Sequence, residues 1–116
     1  MDYLTRCRLP RSDNYRLQVN AFMVGFKNMM RESKRYGVLA AQIGRSGDGE
    51  QSPRLADIKE SSAIEEESDQ VVLLHMDEAA KVGKGVVRLN AFVAKNRHGE
   101  MGLCELEFDK ARMRVQ

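Results

Sequence analysis

Residues 52–76 run SPRLADIKESSAIEEESDQVVLLHM and set the tightest limits on the fold. A polar loop carrying Arg54 and Lys59 leads into an acidic helix start, and then into an apolar run at 71–76 (VVLLHM). That run is apolar on both faces, the pattern of a central strand in a parallel sheet. The same grammar returns at 92–102 (FVAKNRHGEMG), where an apolar strand runs out into a polar loop with exposed cations. Strands that end in cationic loops place positive charge at a sheet edge, where α/β proteins handle phosphates.

Upstream, Leu17, Val19, Phe22, Met23, Phe26, Met29 and Met30 recur at three- and four-residue spacing. This spacing predicts one helix over about 13–36, capped by Ser12 or Asp13 and stopped by Gly37. Residues 38–43 (VLAAQI) read as a short buried strand, and the Gly-containing polar stretch at 44–52 as a loop. One or two helical turns are expected near 64–68, and a charged connection at 77–84. Residues 86–94 and 102–108 alternate apolar and polar side chains about a turn signal at His98-Gly99, so they are expected to pair as a hairpin. The expected architecture is therefore α/β, with parallel strands at 38–43 and 71–76 and an antiparallel hairpin at the sheet edge.

A chain of 116 residues has room for one domain. Apolar residues at 42% and charged residues at 31%, without a membrane-length apolar run, predict a globular chain in solution. No signal-peptide pattern is present, and Cys7 and Cys104 are too few for a metal motif, so reduced thiols in the cytoplasm are expected. The net charge of +2 is uneven: the first 45 residues are basic, while 60–69 is acidic. A basic front of this kind fits either a polyanionic partner or an ordinary solvated surface. His75 and His98 lack partners at metal-ligand spacing and read as a packed strand residue and a turn residue.

Four short segments carry candidate chemistry. Met1-Asp2-Tyr3-Leu4 places a carboxylate at the end of a strand stub, and Gln42 ends the strand at 38–43, just ahead of Ile43, Gly44 and Arg45. An amide there can hydrogen-bond a phosphate oxygen or a water. Residues 57–62 (DIKESS) form a polar loop with a cation, and Lys95 and Arg97 flank Asn96 so that both can project to one side of a strand. By residue type alone, each of these also describes a solvated loop or strand end.

In order and spacing these segments resemble the second half of the RecA-like motor of DnaB-type hexameric replicative DNA helicases, over nearly the whole chain. The resemblance implies that Asp2 is a Walker B residue orienting Mg²⁺. It implies that Gln42, in a segment similar to Ser-Gln-Leu-Asn-Arg, senses the γ-phosphate of ATP. Residues 57–62 are similar to Asp-Leu-Arg-Glu-Ser-Gly, the channel loop that binds single-stranded DNA. Arg45, Lys59, Glu60, Ser61 and Ser62 would then form the nucleic-acid contact, within a loop spanning 44–63. Lys59 stands where the family has Arg and loses its bidentate fork. Ser62 stands where the family has a Gly suited to positive φ. Lys95-Asn96-Arg97 is similar to Lys-Gln-Arg, whose Arg acts in trans on the neighbouring subunit's nucleotide, and Phe108-Asp109 matches the end of the next strand.

No G-x-x-x-x-G-K-S/T motif occurs in the sequence, so the chain alone is expected neither to bind ATP and Mg²⁺ tightly nor to hydrolyse ATP. The expected role is that of a fragment or truncated relative of a helicase motor. It would supply sensor, DNA loop and arginine finger to a complete hexamer. Helicase subunits, or a second copy in a homodimer or larger form, are the expected protein partners. The alternative is a non-catalytic RecA-like module that binds partner proteins or single-stranded DNA.

Overall fold

The computed structural model describes Cys7 and residues 13–43, 53–58 and 61–116. Where the sequence predicts one domain, the chain divides into two compact units. One takes the described residues of Met1–Gly47 with Leu55–Ser68; the other takes those of Asp48–Arg54 with Asp69–Gln116.

The first unit is helical. Helix α1 spans Tyr15–Glu32, and its cap is Asn14, whose side-chain oxygen accepts from the Arg16 amide at 2.9 Å. An Asn at this position satisfies one of the amides that the first helical turn leaves without a partner. Val19 and Met23 are buried, and Phe22 stacks on Phe26 with ring centroids 6.0 Å apart. Leu17 and Met29, at the margins of the expected apolar stripe, are 58% and 50% exposed.

The helix ends five residues before Gly37. Ser33 is its C-cap; the Lys34 amide donates to Arg31 O at 3.1 Å and the Arg35 amide to Met30 O at 2.9 Å. Lys34 supplies the left-handed residue of this Schellman motif, at φ 52°. Gly37 has a different use: a Cβ there would lie 2.5 Å from Phe26 Cζ and 2.9 Å from Met30 Cγ. The chain leaving α1 passes against its own apolar face, and only a hydrogen side chain fits.

Residues 38–43 form no strand ladder. Among the described residues their one strand-like contact is an isolated antiparallel bridge, Ile43 to Ile58. Val38 is 82% exposed, while Leu39, Ala41 and Ile43 are half-buried, so the run is not the fully buried strand expected. A short 3-10 turn, Leu55–Asp57, precedes helix α2, Ser61–Glu67. Ile58, Ala63 and Ile64 are buried with Val19 and Met23. Two polar ties join α2 to α1: Lys27 Nζ donates to Glu67 O at 2.8 Å, and Arg16 Nη2 donates to Ser62 Oγ at 2.8 Å.

The second unit is a four-stranded sheet in the order β1-β2-β3-β4, antiparallel at every pair. The strands are β1 (Gln70–Gly83), β2 (Val86–Asn96), β3 (Gly102–Asp109) and β4 (Arg114–Val115). The expected parallel pairing is not present among the described residues. β1 is an edge strand of this sheet and not a centre strand buried on two faces. Val71 and Leu73 are buried, at 8% and 2% exposure, while Val72, Leu74 and Met76 are 46%, 58% and 41% exposed. Strand side chains alternate in direction, so a wholly apolar run still shows one face to solvent when nothing covers that face.

The charged connection expected at 77–84 belongs largely to β1. Asp77 pairs with Arg88 and Lys81 with Val87, so residues 78–80 bulge out of the ladder, with the Ala80 amide donating to Asp77 Oδ1 at 3.1 Å. Lys84 and Gly85 turn the chain between β1 and β2, with Gly85 at φ +81°, a conformation that only Gly adopts without strain. β2 and β3 pair as the expected hairpin, with Val93 opposite Gly102 and Val87 opposite Phe108. β4 is too short to leave an alternating pattern in the sequence.

Candidate functional site

The end of β2 collects the cations. Val71 faces Lys95 and Val72 faces Val93, so Ala94 is an extra residue on β2. Such a bulge re-aims every side chain beyond it. Without it Lys95 would share the face of Ala91 and Val93; with it, Lys95 lies opposite Val71. Asn96 pairs with Gln70, and the Arg97 amide donates to Asp69 O at 2.9 Å. The register thus puts Lys95 and Arg97 on one side, with Asn96 between them directed to the other.

Arg97 is held as well as placed. Its Nη1 donates to Asp69 Oδ1 at 3.1 Å, with side-chain exposures of 41% and 59%. A half-exposed pair of this kind contributes on the order of 0.2–1 kcal/mol. It stabilises the fold little, but it limits where the guanidinium points.

Asn96 organises the turn that follows. Its Oδ1 accepts from the His98 amide at 3.2 Å and its Nδ2 donates to Glu100 O at 3.1 Å. This is the local side-chain-to-backbone bonding that makes Asn a turn residue. Gly99 packs close beside it: a Cβ there would sit 2.8 Å from Asn96 Nδ2 and displace that amide.

The other expected site residues fall elsewhere. Gln42 is exposed, immediately before the bridge at Ile43, and belongs to the helical unit. Ser61 and Ser62 open helix α2 and are not in a loop, and the Ser62 hydroxyl accepts from Arg16. Asp2, Arg45, Lys59 and Glu60 lie outside the described residues. The residues that sequence reasoning passed over are Asp69 and Asn96. Asp69 stands at the end of an acidic run and looked like surface charge. Asn96 sits between two cations, and its polarity was the only available signal.

Among the described residues no group of three or more His, Cys, Asp or Glu side chains could hold a metal ion, and no helix is long and apolar enough to cross a membrane. Cys7 and Cys104 are both free thiols.

Comparison with known proteins bears on the whole chain. Residues 1–116 match the family described as DnaB-like helicase C terminal domain. The replicative DNA helicase DnaB of Treponema pallidum is 36% identical over 91 residues, covering 78% of this chain and 19% of that protein. Its counterpart from Haemophilus influenzae is 29% identical over 115 residues, covering 94% of this chain and 24% of that protein. The chain therefore spans about a fifth to a quarter of these relatives. A solved ATPase domain superposes with a TM-score of 0.84 at 23% identity, over 98% of this chain and 42% of that one. A DnaB-like replicative helicase, solved in a study of its interactions with primase, superposes with a TM-score of 0.77 at 25% identity, over 92% and 27%.

Proposed function

Because the chain belongs to the DnaB-like helicase C-terminal domain family, we propose that it is the second half of a replicative helicase motor and supplies the trans-acting cations at the end of β2. The observation that carries this is the end of β2, where Lys95 and Arg97 stand two residues apart beyond the bulge at Ala94 and Arg97 is oriented by Asp69. Two cations so arranged fit the oxygens of a triphosphate, and a guanidinium spreads its charge over the charge that develops in phosphoryl transfer. ATP with Mg²⁺ is the cofactor such a motor uses. In this proposal Arg97 and Lys95 act on a neighbouring subunit's nucleotide, Gln42 senses the γ-phosphate, and Asp2 is the metal-orienting carboxylate. Arg45, Lys59, Glu60, Ser61 and Ser62 form the contact to single-stranded DNA.

The experiment is a graft. These 116 residues replace the matching segment of a full-length DnaB relative, and DNA-stimulated ATP hydrolysis is measured for the hexamer. Arg97→Ala is expected to lower turnover by about 10³-fold or more, the range for removal of an arginine finger. Full turnover in that variant would remove Arg97 from the mechanism. The DNA contact is tested separately by oligonucleotide titration, where Lys59→Ala is expected to weaken binding and Arg35→Ala, at the exit of α1, to leave it unchanged.

A further inference from the structure

At the opposite end of the sheet from Arg97, two turns meet. The Lys110 amide donates to Gly85 O at 3.0 Å, which ties the β3–β4 turn to the Lys84-Gly85 turn between β1 and β2. This brings Lys84, Lys110, Arg112 and Arg114 to one edge, all exposed. The nearest carboxylate in the same turn, Asp109, is engaged within it. Its Oδ1 accepts from the Ala111 amide at 3.0 Å and the Arg112 amide at 3.1 Å, and its Oδ2 faces Arg112 Nη1 at 3.2 Å.

These cations stand on backbone turns that are already closed by hydrogen bonds, so little chain entropy is lost when an anion docks on them. The eleven residues of β2 separate them from Arg97 by roughly 35 Å at strand rise. No aromatic side chain lies within either turn, so the surface offers charge without a stacking platform.

We propose that the joined turns at Lys84-Gly85 and 109–114 form a second nucleic-acid surface, which grips a sugar–phosphate strand without reading its bases. It is independent of the motor role proposed for Arg97 and of the contact proposed for Lys59. About three phosphate contacts on a single strand predict a slope near −2 for log affinity against log salt. Affinity should then fall roughly twentyfold between about 50 and about 200 mM salt.

The test titrates a labelled oligothymidylate against the 116-residue chain and its variants across that salt range. Lys84→Glu/Lys110→Glu keeps the backbone bond from residue 110 to Gly85. It should lower affinity at low salt about tenfold or more and flatten the salt slope. The neutral pair Lys84→Gln/Lys110→Gln should give a smaller loss in the same direction, and it serves if the reversed pair does not fold. The proposal is overturned if Lys34→Glu/Arg35→Glu, on the helical unit, costs as much, since general charge would then explain the binding. It is equally overturned if Lys59→Ala alone removes all binding while the turn variants have no effect. A third contrary outcome is displacement of the oligonucleotide by polyglutamate no less readily than by unlabelled DNA of equal charge, which would assign the surface to an acidic protein.

Discussion

Arg97 is bonded to Asp69 twice, through its guanidinium to the carboxylate at 3.1 Å and through its amide to the carbonyl oxygen at 2.9 Å. The backbone bond closes the ladder of β1 and β2 just beyond Gln70 and Asn96. The side-chain bond orients a long, otherwise mobile cation. Because the two bonds share one partner, they can be separated by mutation.

Asp69→Ala removes the side-chain bond and keeps the backbone one. It should lower unfolding free energy by less than about 1 kcal/mol. In the grafted hexamer it should lower ATP turnover far less than Arg97→Ala does, because it relaxes the position of the guanidinium without removing it. Denaturant unfolding and steady-state kinetics check the two halves. Equal losses of turnover in both variants would show that Asp69 does more than orient Arg97.

Leu73 and Leu74 are neighbours with opposite fates, 2% and 58% exposed. Leu73→Ala should destabilise the chain by roughly 2–5 kcal/mol, the range for a buried leucine, and Leu74→Ala by less than about 1 kcal/mol. Urea unfolding of the two variants side by side decides this. Similar losses would mean that both faces of β1 are buried in solution.

The apolar face of Val72, Leu74 and Met76 lies on an edge strand, and exposed strand edges and apolar patches promote association. The chain on its own is expected to self-associate, with a dimer as the smallest form. Leu74→Lys should shift it towards monomer. Sedimentation at micromolar concentration measures this, and a monomeric parent chain would count against it.

The exit of α1 makes two opposite predictions. Lys34→Gly relieves a side chain held at φ 52° and should stabilise by about 0.5 kcal/mol, once the extra freedom of Gly in the unfolded chain is counted. Gly37→Ala pushes a methyl group against Phe26 and Met30 and should cost about 1–3 kcal/mol. Thermal unfolding tests both signs.

Without its P-loop motif the 116-residue chain should show no ATP hydrolysis, with or without single-stranded DNA. Turnover that disappears on mutation of Arg97 would contradict this.

What the sequence determined by itself was local. The three-to-four spacing from Val19 to Met30 marked α1, because helical periodicity is written in neighbouring residues. The alternation on both sides of His98-Gly99 marked the β2–β3 hairpin for the same reason. The order of short motifs along the chain carried the family. What only the tertiary structure decided was everything that depends on non-local partners. VLAAQI and VVLLHM are both apolar runs, yet one makes only a single bridge among the described residues while the other becomes an edge strand in an antiparallel ladder. An apolar run states that burial is favourable but does not say which neighbour provides it. The same limit hid the site's supports. Asp69 lies 28 residues before Arg97, and the bulge at Ala94 that sets the direction of Lys95 exists only as a mismatch between two strands. A register shift is a property of a pair of strands, so neither strand's sequence contains it alone.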